Sequence, residues 1–213
     1  MATNPTFQSA GGLDNTFKTV SVSGLSAPLH PGYVSGRFYP GLNSAQAAAV
    51  AGNTAVLIFT LFSVALPVAP AKIGLLVTAG GAGSTAKFGL WASGIGSKRP
   101  SGLMLPGSGS NTALDTSGAA ALIGNVANIT LTPGLPYWFG SMCTATAPTV
   151  ISLGGNNLVY EALVGRAAFG AGAILGLSTP FTFGNDITAL DLTNATFIDV
   201  GAAGSPIGYL QAP

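Results

Sequence analysis

Hydrolytic and transfer enzymes need a nucleophile, a base and a group that orients them, and this chain of 213 residues supplies those types sparingly. The one histidine, His30, stands between Leu29 and Pro31. General bases sit in framed pockets, so His30, in a proline-punctuated stretch, is expected to serve the surface or packing. The one cysteine, Cys143, ends an apolar run and reads as a buried, inert thiol. No G-x-S-x-G elbow occurs. Asp115 and Glu161 are carboxylates that could pair for glycosidic cleavage, but nothing around them recommends the role. Asp186, Asp191 and Asp199 lie near one another but match no calcium loop, and one His with one Cys makes no zinc set. Whether those aspartates hold a cation stays open at this level. Gly81-Ala82-Gly83 and Gly94-Ile95-Gly96 lack the third glycine of a phosphate cradle and read as turns. No cofactor and no catalytic residue is expected.

The side chains with more to offer are aromatic. Trp91 falls on the outer face of an expected strand, and Tyr137-Trp138 follow a turn at Pro133-Gly134. Exposed aromatics stack on sugar rings or anchor one subunit to another. Trp91 and Tyr137 are therefore the candidate glycan contacts, against the commoner fate of packing in a core or interface. Lys98-Arg99-Pro100 reads as a solvated basic turn.

Composition narrows the classes further. Charged residues make up 6% of the chain, seven Lys+Arg against six Asp+Glu, so no basic stripe exists to displace counterions from nucleic acid. Hydrophobic residues reach 48% and the mean hydropathy is +0.54, which is not the profile of a disordered chain. Soluble monomers normally carry charges of both signs over their surface. A surface built from Ser, Thr, Asn, Gly and Ala suits a protein that buries much of it against copies of itself or a larger particle. An assembly component, a homo-oligomer, is the expectation.

The stretch Ala47 to Ala69 has the hydropathy of a membrane span. Gly52-Asn53-Thr54 interrupts it, Pro67 and Pro70 close it, and no Lys/Arg cluster flanks it. Its continuous piece, Ala55 to Phe62, is strand-sized and rich in β-branched and aromatic residues. No membrane insertion is expected, and the N-terminus does not read as a signal peptide.

Three zones follow. Residues 1–40, with Pro5, Pro28, Pro31 and Pro40, read as an extended docking arm whose aromatics Phe7, Phe17, Tyr33, Phe38 and Tyr39 become ordered on a partner. Residues 41–160 read as an all-β domain, an antiparallel β-sandwich of jelly-roll-like kind. Expected strands are Thr54–Phe62, Lys72–Thr78, Ser84–Trp91, Val126–Thr132, Pro136–Met142 and Thr149–Leu153; Ala45–Ala51 suits either a helix or the lead-in to the first strand. Residues 161–213, dense in glycine, read as further β structure or an oligomer-forming tail.

Alternation assigns the faces. Ala86, Phe88 and Leu90 point inward while Lys87 and Trp91 take the opposite face. In Thr54–Phe62 both faces are apolar, Val56, Ile58 and Phe62 against Leu57, Phe59 and Leu61. Such a strand must be covered twice, and a neighbouring subunit is the simplest cover. Leu57, Phe59 and Leu61 are thus candidate interface residues.

The order of these segments resembles a β-sandwich domain of tailed-bacteriophage virion proteins, of tail-fibre and head-fibre type. The likeness is carried by KIGLLVTAGGAGSTAKFGLWAS (Lys72–Ser93), GLMLPGSG (Gly102–Gly109) and ITLTPGLPYWFGSM (Ile129–Met142), preceded by GRFYPGL (Gly36–Leu42). In that family a strand ends in a Gly/Ala/Ser turn, here Val77 to Ser84, and leads to an apolar strand ending in an aromatic, here Trp91. An "L-x-x-G-x-Y-W" approach to a later strand matches only in part, through Leu131, Gly134, Tyr137 and Trp138. The resemblance covers about residues 36–153. It implies a non-enzymatic structural protein on the virion surface, partnered by other virion proteins and by copies of itself, with a trimer expected. The alternative is an adhesin that binds a host surface glycan.

Overall fold

A computed structural model describes residues 32–41, 46–51, 55–94, 98–119, 121–125, 128–144, 148–153, 176–200 and 205–213. His30, Phe7, Phe17 and Glu161 lie outside the described residues.

The described chain is all-β, apart from one 3-10 turn at Ile187–Ala189. Its strands are β1 (Phe38–Pro40), β2 (Gln46–Ala51), β3 (Val56–Phe62), β4 (Lys72–Ala79), β5 (Thr85–Ser93), β6 (Pro100–Ser101), β7 (Ser110–Asp115), β8 (Ala121–Asn125), β9 (Tyr137–Cys143), β10 (Thr149–Leu153), β11 (Gly176–Pro180), β12 (Ile198–Val200) and β13 (Gly208–Gln211). One sheet runs β1-β13-β4-β10-β2, with β8 also on β4; the other runs β12-β11-β3-β9-β5-β6, with β7 also on β5. Every pairing is antiparallel. The expected β-sandwich class therefore holds.

The main core draws on both sheets. Ile73, Leu75 and Val77 of β4, Val150 of β10 and Leu210 of β13 meet Phe62, Ala86, Phe88, Leu90 and Phe139 of the other sheet. The alternation expected for β4 and β5 is the one that builds this layer, because side chains two apart share a face.

Several sequence expectations need correction. Gln46–Ala51 is a strand paired with β10, so the alanine-rich run obeys its sheet partner rather than its helical propensity. In the described part of the expected strand Val126–Thr132, residues 128–132 form no continuous strand: Asn128 has φ 54°, and Leu131 makes a single bridge to Val68. Ile129 and Leu131 still turn toward the core, Leu131 fully buried. The boundary at residue 40 also moves. Residues 32–213 form one compact unit, and β1 pairs with β13, Phe38 opposite Gln211. The zone 161–213 is no appendage in its described part. β11 pairs with β3 over Leu177–Phe59 to Pro180–Val56, and β13 stands between β1 and β4.

Candidate functional site

The outer face of the seven-stranded sheet holds the residues that sequence reasoning singled out. Register places Phe59, Gly140 and Gly89 in one row across β3, β9 and β5, and Leu61, Trp138 and Trp91 in the next. The glycine row makes room for the aromatics. A Cβ on Gly140 would lie 2.5 Å from the Trp91 ring and 2.8 Å from the Phe59 ring, and one on Gly89 would meet the Met104 sulfur. Phe59 packs edge-on to Trp91 at 5.2 Å and to Phe197 at 5.8 Å between ring centroids.

The connection 181–197 between β11 and β12 lies over this face. It contains two D-x-T turns. The Asp186 carboxylate accepts from the Thr188 N–H (2.8 Å) and hydroxyl (2.7 Å), and Asp191 accepts likewise from Thr193 at 2.9 and 2.7 Å. Each turn presents its middle residue, Ile187 or Leu192, fully buried against Leu57, Phe59, Trp91 and Trp138. Lys87 pins the cover from below. Its Nζ donates to the Asn185 carbonyl at 2.9 Å and sits 5.1 Å from the centre of the Phe183 ring. Arg99 lies over Phe197 in the same way, at 5.8 Å.

These contacts correct three expectations. Trp91 does occupy the face opposite Phe88, but its exposure is 0%, and its indole N–H is buried without a hydrogen-bond partner, so it offers no ring to a sugar. Tyr137 is buried on the inner face, with its hydroxyl accepting from the Thr132 N–H at 3.0 Å. Leu57 and Phe59 are fully buried and Leu61 packs against them, so the second face of β3 is covered by this chain's own residues 181–197 rather than by a neighbour. Parity found the face; it had no access to a cover lying more than a hundred residues downstream.

The remaining chemical candidates are accounted for locally. Hydrogen bonds from Thr188 and Thr193 hold the Asp186 and Asp191 carboxyls below the usual carboxylate range, and the Ser117 N–H does the same for Asp115 at 2.8 Å. Among the described residues no group of three His, Cys, Asp or Glu is placed to hold a metal ion. Burial pushes the Cys143 thiol up to about 12, leaving it protonated at neutral pH.

A pH dependence follows from the two D-x-T turns. Because folding lowers these carboxyl pKa values, their stabilising effect is present above the ordinary carboxylate range and is lost as pH falls through the folded values. Acidification should loosen the cover and shift tryptophan emission to the red. The step should disappear in Asp186→Ala/Asp191→Ala, whose cover is already loosened at pH 7; an identical acid step in that variant would contradict the assignment.

A second surface lies where the loops of one end of the sandwich meet. The Tyr33 hydroxyl accepts from the Ala65 N–H at 3.2 Å, and the Tyr39 hydroxyl from the Val34 N–H at 2.8 Å. The two rings stack edge-on at 5.0 Å. Loop 63–71 is joined to loop 131–136 by the Val68–Leu131 bridge, and the Ser93 N–H reaches the Pro136 carbonyl at 3.2 Å. From these loops Val34 (49% exposed), Phe38 (40%), Leu66 (38%) and Leu135 (53%) reach solvent. Tyr33 and Tyr39, expected in a partner-bound arm, thus pack partly buried on their own domain, while Phe38 stays outside. Compared with protein-family models, with curated proteins and with solved structures, the chain matches none of them.

Proposed function

We propose that this chain is a non-enzymatic structural protein of a tailed-phage virion, a subunit that assembles with copies of itself, as a trimer, and docks on the particle through residues 1–31. The observation that carries the reading is the state of its sheet edges. Natural monomers blunt exposed edges with charges, prolines or bulges, because unpaired N–H and C=O groups recruit another strand. Among the described residues the six-stranded sheet ends at β2, whose sequence QAAAVA contains no charge and no proline and whose one irregularity is a register shift against Ile151–Leu153 of β10. Among the described residues the seven-stranded sheet ends at the three-residue β12, where Ile198 is 60% exposed and Asp199 is the one charge. In a chain with 6% charged residues, such edges suit lateral pairing between subunits. The likeness of Lys72–Ser93, Gly102–Gly109 and Ile129–Met142 to virion β-sandwich domains supports the setting.

The arm is tested by deletion. Removing residues 2–31, and sparing Tyr33, should leave the melting temperature of the sandwich within a few degrees of the full chain while abolishing incorporation into particles of the parent phage. Unchanged incorporation would refute the docking role.

A further inference from the structure

We infer that the loop end built by residues 32–41, 63–71, 98–100 and 128–136 docks on an anionic lipid surface. This inference is independent of the assembly reading, since it concerns the sandwich end and not the strand edges. No helix of the described residues is long and apolar enough to cross a membrane, and the surface argued here would lie on a bilayer without spanning it.

Three observations converge. Val34, Phe38, Leu66 and Leu135 are four of the six large apolar side chains found exposed in the described residues; Val34, Leu66 and Leu135 stand on these loops and Phe38 opens β1 beside them. Cations flank them. Arg37 adjoins Phe38, with its carbonyl accepting from the Ala212 N–H at 3.0 Å; Lys72 begins β4 opposite Gln211; and the exposed Lys98 precedes Arg99, whose carbonyl accepts from the Gly94 N–H at 2.8 Å while its guanidinium lies over Phe197. Residues 32–41, 63–72, 94–100 and 128–136 contain no Asp or Glu. The third observation is rigidity. Pro40, Pro67, Pro70, Pro133 and Pro136 restrict the loops, so ordering them on a surface costs little.

Charge complementarity selects the occupant. A second copy placed end to end would set these cations against their own kind. A bilayer with anionic headgroups asks only for apolar tips that enter the acyl boundary and basic groups at headgroup depth. Single side chains on separate loop tips suit that purpose better than they suit a flat protein interface, whose centre is a close-packed patch.

The test is cosedimentation of the full chain with vesicles of phosphatidylglycerol and phosphatidylcholine, against vesicles of phosphatidylcholine alone. The expected result is binding to the anionic vesicles at least about tenfold stronger than to the neutral ones. Leu66→Asp/Leu135→Asp and, separately, Arg37→Glu/Lys98→Glu should each weaken it by about tenfold or more. Leu103→Asp, at an exposed apolar position elsewhere, should leave it unchanged. The charge-reversal pair alters only exposed side chains, so it keeps the test decisive if the leucine pair proves unstable. Absence of binding to anionic vesicles, equal binding to neutral ones, or full binding by the end variants would overturn the inference. Vesicles ignored by a chain whose oligomeric mass falls in the end variants would hand the surface to a protein partner, and would overturn it equally.

Discussion

Trp91→Ala should destabilise the protein by about 3–5 kcal/mol, the usual cost of emptying a large aromatic site in a packed core. Trp91 is fully buried and sits edge-on to Phe59 with Gly140 beneath it. Its removal leaves a cavity bounded by two strands and by the 181–197 cover, none of which can collapse into it without losing its own register. A chemical-denaturation midpoint measured on the full chain reads the effect directly. A variant as stable as the parent, but deficient in binding a glycan, would show that the tryptophan belongs to a surface site and that the cover is misplaced.

Ending the chain at Ser205 should abolish cooperative folding. The cut removes β13, which stands between β1 and β4 and carries Leu210 into the main core, together with the buried Ile207. Two such aliphatic residues account for about 4–10 kcal/mol, which rivals the about 5–15 kcal/mol that holds a whole domain. Thermal unfolding followed by circular dichroism should show no transition in the shortened chain. A transition at the parent's temperature would mean that the C-terminal zone is a dispensable tail after all.

Both predictions turn on what local pattern can and cannot reveal. β3, β4, β5, β9 and β10 were legible because β-branched and aromatic residues alternate between Gly and Pro punctuation, and the inward set Ala86, Phe88 and Leu90 follows from parity alone. The second face of the same strands was legible as a face but not as a buried one. Its cover is a connection whose anchors, Ile187 and Leu192, are isolated in two D-x-T turns and so show no periodicity. The aspartates of those turns drew attention as potential cation ligands, whereas one oxygen of each, Oδ1, accepts from Thr188 or Thr193. The short strands β6, β12 and β13 exist because longer partners hold them; two to four residues carry too little pattern to declare themselves. The loop end was hidden for a different reason, since Val34, Leu66 and Leu135 are far apart in sequence and only the ties at Tyr33–Ala65 and Val68–Leu131 bring their loops together.

Burial of the second face within one chain changes the physical basis for assembly. The two-faced strand no longer requires a neighbour, and the weight shifts to the edges at β2, which carries no charge, and β12, whose one charge is Asp199. Edge pairing adds strands to an existing sheet by main-chain hydrogen bonds, which is tolerant of sequence and suits a surface poor in ionic groups.

Light scattering of the purified full-length chain, taken across a rising concentration series, tests this most directly. The account predicts a particle of three copies of the 21.0 kDa chain, persisting on dilution into the micromolar range. A single species of one copy's mass at every concentration would contradict it.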